Sequence, residues 1–141
     1  ALEPLGIISQ RADAIREVAR QVDAGELLIN SSVNAESFVE QACKIKGIGP
    51  WTAQYVSLRS LDDPNAFPVA DLILLRAAAA IDSAEFKKPA AKRSPVAKIK
   101  AYTPKQLEKR SESWQPWRAY VVFLLWKQYQ WLSEQNLLQK K

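Results

Sequence analysis

Ile45-Lys46-Gly47-Ile48-Gly49-Pro50-Trp51-Thr52-Ala53 is the stretch on which the fold turns. Two glycines flank one aliphatic residue, which predicts a tight turn, because glycine adopts positive φ at little cost and admits a close neighbour. Upstream, Phe38, Ala42 and Ile45 recur at helical spacing. Downstream, Pro50 stands where the first residue of a helix needs no N–H. The segment therefore reads as helix, hairpin, helix over about residues 35–60. Backbone N–H groups of Gly47, Gly49 and their neighbours are expected to be unpaired at the mouth of the second helix, where hydrogen bonding and the positive helix end favour phosphate. Such a hairpin grips a nucleic-acid backbone without reading bases. The alternative is a plain helix–helix turn.

Working outward, Ala12, Ile15, Val18, Ala19 and Val22 mark one face of an earlier helix that opens near Ser9 and ends at Asp23-Ala24-Gly25. Asn34 is placed as an N-cap, with Val33 and Phe38 as a hydrophobic staple. Pro50 to about Ser60 reads as the third helix, Leu61–Ala70 as a loop, and Asp71–Ile81 as an Ala/Leu-rich fourth helix. Residues 82–102 show no period and carry Lys87, Lys88, Lys92, Arg93, Lys98 and Lys100, so they read as a basic, mobile insertion. Thr103-Pro104-Lys105-Gln106 is a helix start with cap, proline and a glutamine at the third position. A last helix is expected from near Trp114–Pro116 to about Leu132. Its residues 119–126 are apolar all round, which predicts a central, buried helix. Nothing alternates as a strand would, and no internal repeat is present. The fold class read from the chain is all-α, with its 141 residues forming a single helical domain.

Composition narrows the chemistry. Apolar residues make up 48% of the chain, yet no apolar run approaches the ~18 residues of a membrane span, so no membrane partner is expected. A lone cysteine, Cys43, leaves no internal disulfide and no cysteine-built metal site. Histidine is absent, which removes the usual general base, the usual zinc ligand and any Ser-His pair. A carboxylate or a lysine would have to carry acid–base work. The net charge of +5 is unevenly split: residues 1–86 hold seven basic and twelve acidic side chains, residues 87–141 thirteen basic and three acidic. That asymmetry points to a polyanion, with a solvated basic segment as the alternative.

Three elements carry candidate chemistry. The first is the hairpin. The second is aromatic: Trp51 and Tyr55 lie four apart and share a helix face, and Trp126 lies on the final helix. Such rings could sandwich a flat, electron-poor base, although aromatic residues at helical spacing also serve as core. The third is Asp71, which opens a helix after a loop. Its simplest role is an N-cap. The helix end also favours an ionised carboxylate, which could stabilise a positive sugar as a glycosidic bond breaks, or orient or deprotonate the attacking water.

Taken together these pieces carry a resemblance. Leu5-Gly6-Ile7 with Arg11-Ala12-Asp13-Ala14-Ile15, the hairpin through Gln54-Tyr55, Phe67-Pro68-Val69-Ala70-Asp71-Leu72, and Trp114-Gln115-Pro116-Trp117-Arg118-Ala119-Tyr120 leading to Trp126 follow one another in the order seen in a known family. Over most of residues 5–132 the chain resembles the helix–hairpin–helix base-excision DNA glycosylases, in particular the inducible bacterial 3-methyladenine type. The resemblance implies that Asp71 is the catalytic carboxylate, that Trp51, Tyr55, Leu72 and Trp126 line the base pocket, and that Gly47, Ile48, Gly49, Trp51 and Thr52 hold a DNA phosphate. Leu72 stands where a relative has an aromatic residue, which implies a roomier pocket. Related hairpins hold a monovalent cation, sodium or potassium, on carbonyls that match Cys43, Ile45 and Ile48; no other cofactor is implied.

Relatives that also cut the strand carry a lysine where this chain has Trp51, and the iron–sulfur branch carries a cysteine cluster that is absent here. A monofunctional enzyme is therefore implied, acting on alkylated purines in double-stranded DNA. Its location would be the cytoplasm of a bacterium, or the nucleus of a eukaryote. The family domain usually begins upstream of the point matching Leu5 with helices that complete the DNA cleft, so the expected partners include an N-terminal remainder of the same protein. Residues 82–102 are longer than the family connection, and their lysines would add phosphate contacts. The competing readings are a non-catalytic DNA-binding module, or inactive fragment, and a purely structural helical domain.

Overall fold

The computed structural model describes residues 6–83 and 99–138, with side chains through Glu134; most of the basic stretch 82–102 lies outside the described residues. Every element among the described residues is a helix, so the all-α expectation holds. The chain divides into two compact units, Ala1–Pro68 and Val69–Lys141.

The first unit holds α1 (Ser9–Asp23), α2 (Ala35–Ala42) and α3 (Pro50–Ser60). Asn34 caps α2, its side chain accepting from the Ser37 N–H at 2.9 Å. Val33 packs on the cluster that contains Phe38, as the staple requires. That cluster joins Leu27, Phe38, Ala42, Ile45, Ala53 and Leu61, so α2, the hairpin and α3 share one core. Truncating a buried phenylalanine such as Phe38 costs about 3–5 kcal/mol. The apolar face read for α1 is corrected: Ala12 and Ala14 are its buried residues, whereas Ile15 is 50% and Val22 44% exposed. The helix turns Ala14 inward because the hairpin rests on it at Gly47.

The loop after α3 is tied back to that helix. Ser57 donates its hydroxyl to Asp63 at 3.2 Å, Asp63 accepts from the Asn65 N–H at 2.9 Å, and Gln54 accepts from the Phe67 N–H at 3.0 Å.

The second unit holds α4 (Leu72–Asp82), α5 (Pro104–Ser111), a 3-10 turn (Glu112–Trp114) and α6 (Arg118–Leu138). The capping box forms as read: Gln106 N–H donates to the Thr103 hydroxyl at 3.3 Å, and Gln106 accepts from the Thr103 N–H at 2.9 Å. Four consecutive buried alanines, Ala77–Ala80, let a neighbouring helix approach α4 closely. That neighbour is α6, and the pairs Asp71–Trp126, Arg76–Tyr129 and Ala80–Leu132 show that the two helices run in the same direction. Asp82 closes the far end, accepting from Tyr102 Oη and Arg110 Nε, each at 2.9 Å.

The last helix departs from its reading in two ways. It begins at Arg118, after the 3-10 turn, and extends to Leu138. Nor is it buried all round: Ala119, Val122, Leu125 and Leu132 are buried, while Tyr120 is 60% and Leu124 65% exposed. An all-apolar segment has no polar side to mark which face meets the core, and packing on neighbouring helices, α4 foremost, selects it. No helix among the described residues is long and apolar enough to cross a membrane.

Candidate DNA-facing site

The hairpin is built asymmetrically. Ile48 donates its N–H to the Ile45 carbonyl at 3.0 Å, which closes the turn and spends the Ile48 donor internally. That corrects the reading of Ile48 as an outward donor. Gly47 has φ +98°, a conformation that suits glycine, and a Cβ there would meet Ala14 Cβ at 3.1 Å. Gly49 is different: its φ of −100° and ψ of 173° are open to any residue, and a Cβ there would touch nothing within 4 Å. Gly47 is thus a folding residue, and the space over Gly49 is open. Among the described backbone bonds none uses the N–H of Gly47 or Gly49. Gly49 caps α3 without a side-chain hydrogen bond, and Pro50 follows at the first helical position. Thr52 lies in the first turn, where an N–H has no intrahelical acceptor.

The carbonyls of Cys43 and Ile48 accept none of the described backbone bonds, and that of Ile45 accepts one and keeps a second lone pair. The three are chemically fit to ligate a hard monovalent cation. Among the described residues no cluster of acidic, cysteine or histidine side chains could hold a metal.

Trp51 and Tyr55 do not behave as core. Trp51 is 42% and Tyr55 36% exposed, and their rings stack with centroids 5.4 Å apart and planes 14° from parallel. The four-residue spacing on α3 aligns them, while Ala53, Ser57 and Leu58 of the same helix are buried.

In the second unit, Asp71 is the N-cap of α4 and only 8% exposed. Its Oδ1 accepts from the Ile73 N–H at 2.8 Å, the Leu74 N–H at 3.0 Å and the Trp126 indole Nε1–H at 3.4 Å. Leu72, the next residue, is 52% exposed. The half-buried Trp126 meets Phe123 edge-on at 5.7 Å. The structure therefore groups Asp71, Leu72 and Trp126 in one unit, and Trp51, Tyr55, Gly47, Ile48, Gly49 and Thr52 in the other. Nothing in the sequence marks Gln54, whose side chain holds the Phe67 N–H. Its partner lies 13 residues away, and an amide on a helix gives no local sign of such a bond.

An all-helical chain with a glycine hairpin between two helices, followed by an aspartate-capped helix, agrees with the resemblance to the helix–hairpin–helix DNA glycosylases. The likeness is carried by known proteins. The DNA-3-methyladenine glycosylase of Bacillus subtilis is 30% identical over 120 residues, 84% of this chain and 35% of that protein. The probable bifunctional transcriptional activator/DNA repair enzyme AlkA of Mycobacterium tuberculosis is 29% identical over 122 residues, 86% of this chain and 21% of its own length. The DNA-3-methyladenine glycosylase 2 of Escherichia coli is 24% identical over 135 residues, 96% and 40% respectively. The resemblance to this family, and within it to the 3-methyladenine enzymes, holds across most of the chain. This chain spans between a fifth and two fifths of the length of those relatives. No protein-family model matches it, and no solved structure does.

Proposed function

We propose that this chain carries the catalytic part of a monofunctional DNA glycosylase, which hydrolyses the N-glycosidic bond of damaged, alkylated purines in double-stranded DNA during base-excision repair. The observation that carries the reading is Asp71: a nearly buried carboxylate on a helix N-terminus, its Oδ1 engaged by two backbone N–H groups and an indole N–H. An alkylated purine is a good leaving group once it has been flipped from the stack. Its C1′–N bond breaks with the electron pair leaving on the base, and positive charge grows on the sugar. The carboxylate stabilises that charge, water adds to C1′, and its proton passes to Asp71 or to solvent. The stacked, accessible Trp51 and Tyr55 supply π-faces that favour a cationic base.

Gly47, Gly49 and the first turn of α3, with Trp51 and Thr52, grip a phosphate beside the lesion. Ile48 contributes through its carbonyl rather than its N–H. The carbonyls of Cys43, Ile45 and Ile48 would hold a sodium or potassium ion, whose charge would reinforce that grip. The partner is lesion-bearing duplex DNA, joined by the N-terminal remainder of the protein. The compartment is the bacterial cytoplasm.

The test is a duplex with one 3-methyladenine or hypoxanthine, assayed for abasic sites. Excision is expected, with strand breaks appearing only after alkali, and Asp71→Asn should remove it while DNA binding persists. Full excision by that variant would reduce Asp71 to a helix cap. A second reading, DNA binding without catalysis, is favoured by one observation, the small share of the relatives' length that this chain spans. It predicts salt-sensitive binding and no excision.

A further inference from the structure

The family resemblance implies that Trp126 is a wall of the base pocket; its indole nitrogen points to another task. We infer that Trp126 is the positioning residue for Asp71, fixing the rotation of the carboxylate that acts on the reacting sugar; the inference rests on Asp71 being the catalytic carboxylate.

The geometry is specific. An indole N–H can only donate, and a partly buried one needs an acceptor. Here it finds Oδ1 of Asp71 at 3.4 Å, 55 residues away in sequence and on another helix. The two backbone donors, from Ile73 and Leu74, reach the same oxygen from within α4. Those two bonds alone suit any N-cap. The third comes from α6 and adds a constraint that capping does not need. With all three donors on one oxygen, a quarter-turn of the carboxylate about its Cβ–Cγ bond would pull that oxygen away from them, so together they fix the plane of the group. The indole is itself held: Phe123 packs edge-on against it at 5.7 Å, and α6 is fixed on α4 through Arg76–Tyr129 and Ala80–Leu132. Trp126 thus links the packing of two helices to the direction in which one carboxylate oxygen points. Misplacing a reacting group by about 1 Å can cost on the order of a hundredfold in rate.

The experiment has two arms. In the first, the five tryptophan indole N–H signals are recorded by 1H–15N NMR, and Trp126→Phe assigns one by its loss. That signal is expected to move in Asp71→Ala, and the Asp71 carboxyl carbon is expected to move in Trp126→Phe; no response in either overturns the inference. In the second, Trp126→Phe keeps a ring but removes the donor. It is expected to lower kcat about tenfold to a hundredfold, the scale of one hydrogen bond to a charged group, with KM little changed. A rise in KM at constant kcat would make Trp126 a pocket wall only and overturn it. Full excision by Asp71→Asn would instead overturn the catalytic reading. If the wild-type chain does not excise at all, that reading fails for this chain, and the NMR arm decides the Trp126–Asp71 link by itself.

Discussion

Gly47 lies against Ala14: a Cβ at position 47 would come within 3.1 Å of the Ala14 Cβ, and the φ of +98° is one that side chains resist. Gly49, two residues on, has neither constraint. The two glycines therefore differ in duty: Gly47 serves the fold, while Gly49 leaves open space for the proposed phosphate contact. Gly47→Ala is expected to destabilise by about 2 kcal/mol or more, from backbone strain plus the clash, read by chemical denaturation. Gly49→Ala exchanges a poorer N-cap for a less flexible unfolded chain, terms that roughly cancel, so stability should stay within about 0.5 kcal/mol. Its methyl group would stand where a phosphate approaches, and DNA affinity measured by fluorescence anisotropy should fall. Unchanged affinity would count against the phosphate grip.

Asp71 offers a cleaner separation than most capping residues. Because the three described hydrogen bonds reach Oδ1, an asparagine can accept each of those through its own Oδ1. Asp71→Asn should thus lie within about 0.5 kcal/mol of wild type in thermal or urea unfolding while excision is lost. Asp71→Ala should cost about 1–2 kcal/mol, from the lost cap and the stranded indole donor. Equal destabilisation by the two variants would mean that the negative charge, rather than the acceptor, holds the helix end.

The Tyr102 phenol is pushed above its ordinary value, first by burial and then by its hydrogen bond to the negatively charged Asp82. A raised value in the folded state means that the unfolded chain releases this proton first. The stabilisation is therefore complete below the unfolded value of about 10 and is lost as pH climbs past it toward the folded value. Tyr102→Phe should weaken the alkaline fall in stability and lower stability at neutral pH by about 1 kcal/mol. Urea unfolding across pH 8–11 makes the comparison; identical alkaline limbs would exclude the Tyr102–Asp82 bond as the cause.

Local signals were the most legible. The Ser9 start, the Asn34 cap, the Thr103–Gln106 box and the Pro50 entry into α3 each lie within four residues of what they specify, and each appears where the sequence placed it. The different duties of Gly47 and Gly49 were hidden, because identical residues adopt unlike φ only once α1 packs beneath the turn. The exposed side of α6 was hidden for the opposite reason: uniform hydrophobicity erases the period that would orient a helix. Neither Trp126–Asp71 nor Gln54–Phe67 leaves a local trace, since each bond joins residues that only folding brings together. Legible candidates for the site were side chains of distinctive chemistry; what escaped was which atom each one spends on its neighbours.

The Trp51–Tyr55 stack tests whether exposed aromatics here serve binding or structure. Both rings remain more than a third exposed, so truncation forfeits only part of what a fully buried ring would lose. An aromatic pair of this kind is worth about 0.5–1.5 kcal/mol beyond its area. Trp51→Ala should accordingly cost no more than about 1.5 kcal/mol in urea unfolding, well below the 3–5 kcal/mol of a fully buried tryptophan. Its effect on excision should be larger, with KM for a duplex bearing a cationic alkylated purine rising at least about tenfold, because a π-face that attracts the flipped base is gone. A neutral lesion such as hypoxanthine gains less from that attraction, so its KM should rise less. Trp51→Phe should restore most of the affinity for both. If alanine destabilises the fold by the full core amount and leaves both KM values alone, the ring is a packing residue and the base must be held elsewhere.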